Sequence, residues 1–292
     1  MRLLVTGANG LLGSTLVRQA TVAGHSTIAA YHSTEPGIGT EQVQLDITDE
    51  KAVERIIGQS DVDAVVNCAA MTDVDGCETA TDEAQAVNAV APERLAERAS
   101  EQNAQFVHVS TDYVFDGEAD TPYTPDAEPA PVQVYGRTKL AGERTVLNTH
   151  PEAFVPRLSF VYGRHGATDE LTGFPAWVRD QLQAGESVPL FTDQWVTPTR
   201  AGQAATTILD ALDAKLSGRA HVAARSCVTP FEFGERLAQE LDADASLLAQ
   251  GSTEDIDRTA ERPSYTCLDV SKIETALDRA QPTFREDLKA LF

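Results

Sequence analysis

Positive charge is what this sequence lacks most. Only 23 Lys and Arg stand against 45 Asp and Glu, giving a formal charge of −22 and a pI near 4.5. Such a surface repels nucleic acid and anionic membranes, which need clustered Lys and Arg to neutralise phosphate. An anionic ligand must therefore be held by local groups that overcome the global field. Lysine is especially scarce, occurring only at Lys51, Lys139, Lys215, Lys272 and Lys289. Acid excess, little lysine and much Ala, Thr and Asp point to adaptation to high salt. At molar salt the Debye length falls to about 3 Å and self-repulsion is screened.

Cysteine is also sparse. Cys68, Cys77, Cys227 and Cys267 show no C-x-x-C spacing, so neither a zinc site nor a disulfide framework is expected. The expectation is no metal centre and four ordinary thiols in a reducing compartment. Long apolar runs are missing too. Nowhere do about 18 apolar residues follow one another, so no membrane span is expected. The start, MRLLVTGANG, enters a strand pattern without the features of a signal peptide; the expected location is the cytoplasm. What remains, 292 residues with 42% hydrophobic content, suffices for one large core, or a main domain with a smaller one attached.

Short apolar runs alternate with helical patterns through the first half. Strands are expected at Leu3–Val5, Thr27–Tyr31, Val43–Leu45, Ala64–Asn67, Phe106–Val109 and Phe154–Val161. Helices are expected over Leu11–Ala23, Glu50–Ile57, Asp82–Glu101 and Gln133–Leu147. Continuous Val/Ile-rich runs fit a parallel sheet buried on both faces. The alternation predicts an α/β, Rossmann-type doubly wound sheet over residues 1–162. Residues 163–292 read as a smaller, mixed α/β substrate-binding part, some of which, such as 188–216, can return to the main sheet. A proline-rich stretch, Pro122–Pro131, is long enough to suggest a functional loop.

The first chemical motif is Thr6-Gly7-Ala8-Asn9-Gly10-Leu11-Leu12-Gly13, between strand one and helix one. Glycines permit a tight turn and a close approach to a pyrophosphate, and the helix N-terminus offers free N–H groups. This is how a chain of charge −22 can hold a dinucleotide. The second strand ends Tyr31-His32-Ser33, without the acidic residue that binds a ribose 2′-OH in NAD-specific sites. His32 can donate to a 2′-phosphate, so the expected cofactor is NADPH, with NADH tolerated. Asp46-Ile47 is placed to accept from an adenine amino group, or equally to cap a helix. Ala69, Ala70 and Met71 let the backbone pass against the cofactor.

The most specific constellation is Ser110-Thr111-Asp112 at a strand end with Tyr135-Gly136-Arg137-Thr138-Lys139 on a helix. Tyr135 and Lys139, four apart, share one face. A free phenol has a pKa near 10, and an adjacent ammonium lowers it toward useful acidity. Thr111 can orient a substrate carbonyl. Together they make an acid, its electrostatic tuner and a donor.

These residues resemble the extended short-chain dehydrogenase/reductase family, on TGANGLLG, Asn67-Cys68-Ala69-Ala70 and the Y-x-x-x-K pair. STDYVFDG (Ser110–Gly117), PYTPDAEPAPVQVYGRTKLAGE (Pro122–Glu143), DQWVTPTRAG (Asp193–Gly202) and ERP (Glu261–Pro263) are similar, nearly end to end, to its dTDP-4-dehydrorhamnose reductases. The resemblance implies hydride delivery from NAD(P)H to the C4 ketone of dTDP-4-dehydro-β-L-rhamnose. Tyr135 would be the proton donor, Lys139 its tuner and a ribose ligand, and Thr111 the oxygen ligand. Asp112, Tyr113 and Phe160 would face the sugar nucleotide, and Arg262 would help bind its diphosphate or equally serve a structural ion pair. Phe160 stands where that family usually has tryptophan. Tyr113 stands where the related dehydratases carry a glutamate base, so dehydration is disfavoured. The regulatory β subunit of methionine adenosyltransferase is similar to the same reductases, down to Arg262-Pro263 and Leu268-Asp269-Val270-Ser271-Lys272. A partner-binding, non-catalytic role is therefore the alternative, and a nucleotide-sugar 4-epimerase a third. Oligomeric state stays open, a homodimer being the candidate.

Overall fold

The computed structural model describes every residue from Met1 to Phe292. Strand β1 (Arg2–Thr6) leads into helix α1 (Leu11–Val22), followed by β2 (Ser26–Tyr31), β3 (Glu41–Gln44), α2 (Glu50–Ser60) and β4 (Ala64–Asn67). Two short helices, α3 (Val74–Thr79) and α4 (Thr81–Gln85), precede a π-helical turn at Ala86–Val90, which runs into α5 (Ala91–Glu101). Then come β5 (Gln105–His108), β6 (Ser110–Thr111), α6 (Val134–Thr149) and β7 (Phe154–Leu158). The remainder comprises β8 (Val161–Arg164), β9 (Leu171–Thr172), α7 (Phe174–Ala184), β10 (Val188–Phe191), β11 (Thr199–Arg200), α8 (Ala201–Asp213), β12 (Gly218–His221), α9 (Pro230–Glu240), β13 (Leu248–Gly251), α10 (Ser271–Leu277) and α11 (Phe284–Lys289).

The main sheet runs β12-β7-β5-β4-β1-β2-β3, with β6 also paired to β7, and every pairing is parallel. Its central strands are apolar on both sides because helices cover both faces, while edge strand β3 is polar and largely exposed,. Alternate residues then feed different cores. Leu3, Val5, Val66 and Val107 pack with Leu16 and Val17 of α1 and Ile208 of α8. Leu4, Val65 and Phe106 pack with Ile56 and Ile57 of α2 and Leu95 of α5. A third core joins Tyr162, Val178, Leu190, Phe233, Leu237 and Phe284 in the C-terminal part. There β10 pairs with β13, and β8 with β9 and β11, in small separate sheets.

Residues on both sides of position 162 share the main sheet, since β12 extends it beyond β7 and α8 lies in its core. The expected continuous strand Phe154–Val161 is broken: Phe160 has φ +43°, which no strand accommodates,. The expected helix Asp82–Glu101 contains the π turn. Helix ends follow side-chain caps: Asp49 accepts from the N–H groups of Lys51 and Ala52 at α2, and Thr229 and Glu232 form a reciprocal capping box at α9,. The Pro122–Pro131 loop is pinned rather than open. Tyr123 stacks on Phe115 at 4.1 Å, donates its hydroxyl to Asp116, and exchanges backbone bonds with Cys267 and Asp269.

The cysteines depart from expectation. Cys227 and Cys267 form a disulfide, with Cα atoms 5.5 Å apart. Their separation of 40 residues hides the pair from any spacing rule; only the fold places one segment beside the other. Cys68 and Cys77 are free thiols, as expected. No cluster of His, Cys, Asp or Glu able to hold a metal ion forms, and no helix is long and apolar enough to cross a membrane.

Candidate active site

Parallel strands place their C-terminal ends along one edge of the sheet, where ligands bind in doubly wound folds. The loops leaving β1, β4, β6 and β7 meet there around a cavity of about 660 Å³. One wall is the glycine turn. Gly7 has φ +64°, and a Cβ there would come within 2.7 Å of the Ala69 nitrogen. A Cβ at Gly13 would strike the Gly7 carbonyl. Both positions therefore require glycine. Gly10 caps α1 without a side-chain hydrogen bond, which leaves first-turn N–H groups for an anion.

Of the residues expected to hold the cofactor, Gly7, Gly10, Leu11, Leu12, Gly13, His32, Ala69, Ala70 and Lys139 line this cavity. Asn9 is exposed beside it, its carbonyl accepting from His165. Three others do not line it. Asp46 accepts from the backbone and hydroxyl of Thr48, which hold its carboxyl below the usual carboxylate range. Ile47 is buried in the core beneath α2. The Met71 backbone is gripped by Asn88, whose amide accepts from Met71 N–H at 2.9 Å and donates to its carbonyl at 3.0 Å. Asn88 lies in the π turn, a feature frequent at functional sites, and the sequence pattern of a single long helix concealed it.

The opposite wall holds the side chains expected to act on a substrate. Tyr135 and Lys139 project from α6 into the cavity, together with Thr111 and Asp112 from the end of β6. Lys139 is almost fully buried and donates to the Val109 carbonyl at 2.8 Å. Burial, opposed by Glu143, pulls its ammonium down to about 8. The Tyr135 phenol is pushed upward, not down: burial dominates, opposed by a hydrogen bond with Thr111 and reinforced by Asp112. The expected lowering by Lys139 is not among the influences on this phenol: desolvation sets the direction, and the ammonium bonds to the Val109 carbonyl instead. Tyr135 is therefore protonated at neutral pH, as an ordinary phenol also is, and burial makes it a weaker acid than the free side chain,.

The Thr111 hydroxyl donates to Asp112 Oδ1 at 3.0 Å and accepts from the Tyr113 N–H at 3.1 Å. Asp112 is buried, its carboxyl raised by desolvation, and its Oδ2 has no hydrogen-bond partner. Tyr113 meets Tyr135 edge-on with centroids 6.1 Å apart, and burial lifts its phenol to about 12. Phe160 reaches the cavity and packs edge-on against Phe174 at 5.2 Å. Arg262 does not line the cavity. Asp75 takes its guanidinium at 2.7 Å and the Ala260 carbonyl takes another N–H, so its sequence signature marks a structural ion pair. Cys68, Thr72, Val74, Val109, Ser110, Leu158, Val161 and Val196 complete the lining; apart from Cys68 and Ser110, which lie in the motifs noted above, they are small or apolar and carried no distinguishing signal.

The whole chain, residues 1–292, matches the model of the family described as RmlD substrate binding domain. The chain belongs to this family. It is 51% identical over 291 residues to the probable low-salt glycan biosynthesis reductase Agl14 of Haloferax volcanii, covering 100% of this chain and 97% of that protein. It is 41% identical to a dTDP-4-dehydrorhamnose reductase of Mycobacterium tuberculosis, over 91% of this chain and 84% of that one. Among solved structures, a dTDP-4-dehydrorhamnose reductase ortholog of Clostridium acetobutylicum superposes with a TM-score of 0.88 at 30% identity, covering 100% of this chain and 98% of that chain. The dTDP-4-dehydrorhamnose reductase of Bacillus anthracis in complex with NADP superposes at 0.89 and 26% identity, with the same coverage. The match extends over the full length of the chain, and so over the segments that form both walls of the cavity.

Proposed function

We propose that this protein of the RmlD family reduces the C4 ketone of a nucleotide-activated deoxy sugar, dTDP-4-dehydro-β-L-rhamnose, using NADPH. The observation that carries this reading is the facing of the Gly7–Gly13 turn and the Thr111–Tyr135–Lys139 wall across one cavity. The glycine turn fits a pyrophosphate, since no side chain fills it, and the exposed His32 at the end of β2 leaves room for a 2′-phosphate. NADH is the second candidate at this site.

The bound nicotinamide supplies a hydride. Everything else falls to the chain. Thr111 turns its hydroxyl from Asp112 to the ketone oxygen, orienting it. Tyr135, protonated in its buried setting, donates to that oxygen as negative charge develops, and is reprotonated from solvent. Lys139, which lines the same cavity, would hold the ribose hydroxyls of the bound cofactor and supply positive charge to that side of the site,. Tyr113 offers no carboxylate to remove a C5 proton, which argues against water elimination.

NADPH oxidation with dTDP-4-dehydro-β-L-rhamnose, followed at low and at molar salt, tests the reading. Turnover supports it; cofactor binding without turnover under both conditions overturns it in favour of a partner-binding role. Interconversion of C4 epimers without net NADPH oxidation would instead indicate an epimerase.

A further inference from the structure

Tyr135 and Lys139 are followed, one further turn along the same face of α6, by Glu143. This carboxylate has no solvent exposure, yet it makes four charge-assisted bonds. It accepts from the Ser110 hydroxyl at 2.6 Å, from Arg157 Nε at 2.7 Å and Nη2 at 2.7 Å, and from Arg219 Nε at 3.1 Å. Ser110 adjoins Thr111 on β6, Arg157 lies on β7 and Arg219 on β12. One side chain thus ties the helix bearing Tyr135 and Lys139 to three neighbouring strands, one of which bears Thr111.

We propose that Glu143 is a positioning residue for the reductive site, docking α6 against β6 and β7 and serving as the fixed counter-charge of the Lys139 ammonium. The inference rests on the proposed reduction only in treating the Tyr135–Lys139 pair as catalytic. The groups around Lys139 leave Glu143 as the one that can do this at neutral pH. On its own helix stand Tyr135, whose phenol is pushed up by burial, and Glu143. Cys68, after β4, is the other group favouring the ammonium, but burial pushes its thiol up to about 12, so it is uncharged. His108 on β5 is held well below the usual histidine range by burial and is neutral. Asp112, beyond Thr111, is raised by burial. Arg157 and Arg219 face Glu143 from β7 and β12 and compete with Lys139 for its charge. His221, on β12, is pulled down to about 3 by burial and the Arg157 charge and is neutral too.

The scarcity of lysine makes a direct test practical. Trace acetylation between about pH 6 and 11, read by peptide mass spectrometry, follows Lys139, with the peptides of the four other lysines recorded in the same digest as internal standards for reagent and recovery. The wild-type Lys139 midpoint is expected at about 8. In Glu143→Gln the opposition to burial is gone, and the midpoint falls by about one pH unit or more. In Arg219→Gln, where a half-exposed competitor is removed, the midpoint rises. A folded Glu143→Gln whose Lys139 midpoint stays in place would overturn the proposal. If that variant does not fold, because Arg157 is left unpaired, an unmoved or lowered midpoint in Arg219→Gln overturns it. NADPH oxidation recorded on the same samples keeps the two ideas apart. Absence of turnover in the wild type counts against the reduction alone, while the acetylation midpoints still decide the role of Glu143.

Discussion

In the proposed reduction Tyr135 acts through one oxygen. Tyr135→Phe is expected to lower kcat by about 10²–10⁴-fold, the usual worth of a positioned acid, with NADPH affinity changed less than a few-fold; stopped-flow reduction and cofactor fluorescence measure the two separately. His221 makes a different statement. Its ring is held at about 3 by burial and the Arg157 charge, against about 6.5 when unfolded. The unfolded chain therefore binds the proton in between, and the native state loses stability as pH falls from about 6.5 toward 3. His221→Gln should flatten that part of a Tm-against-pH curve; an unchanged slope would show that His221 does not contribute to it. That Thr111, Tyr135 and Lys139 come together in one cavity was legible in the sequence because helical period and a strand end fix their spacing. Asp46 and Arg262 were not, because the same residue types serve equally in an Asx turn and an ion pair, and only the partners, Thr48 and Asp75, decide between them.

The β1–α1 turn shows how far an element constrains its ligand. A methyl group at Gly13 would meet the Gly7 carbonyl, and the clash is backbone against Cβ, so no rotamer relieves it. Gly13→Ala is expected to weaken NADPH binding roughly tenfold or more, at least about 1.4 kcal/mol, as read by fluorescence titration. The Cys227–Cys267 link ties the N-terminal approach to α9 to the segment that pairs with Tyr123. Cys267→Ser should cost about 2–4 kcal/mol, visible as a lower Tm, and reductant should lower the wild-type Tm but not that of the variant. The long periodic elements were readable from hydrophobic spacing alone. The edge strand β12, the short β13 and the six-residue α11 were not, because so few residues carry no period. The π turn at Ala86–Val90 was hidden because its apolar pattern continues that of the helices around it. The disulfide lay out of reach because contact between distant segments is a property of the fold.

For the molecule as a whole, the charge of −22 is distributed over a surface that the site does not need. The Lys139 ammonium and the first-turn N–H groups of α1 supply positive charge locally at the cavity,, while the acidic exterior bears on solvent conditions. Self-repulsion should destabilise the fold in dilute buffer and be screened at molar salt. The Tm is expected to rise between 0.1 M and 1 M KCl, by about 2–4 °C for each kcal/mol of repulsion relieved, and a Tm independent of salt would contradict this. A parallel sheet shared by residues from both ends of the chain also brings the reductive wall and the C-terminal part into one body around one cavity. The central claim, ketone reduction at that cavity, is tested most directly by NADPH absorbance in the presence of dTDP-4-dehydro-β-L-rhamnose, comparing wild type with Tyr135→Phe. The account predicts stoichiometric NADPH loss with the wild type and almost none with the variant; equal rates in the two, or no loss with either at low and molar salt, would contradict it.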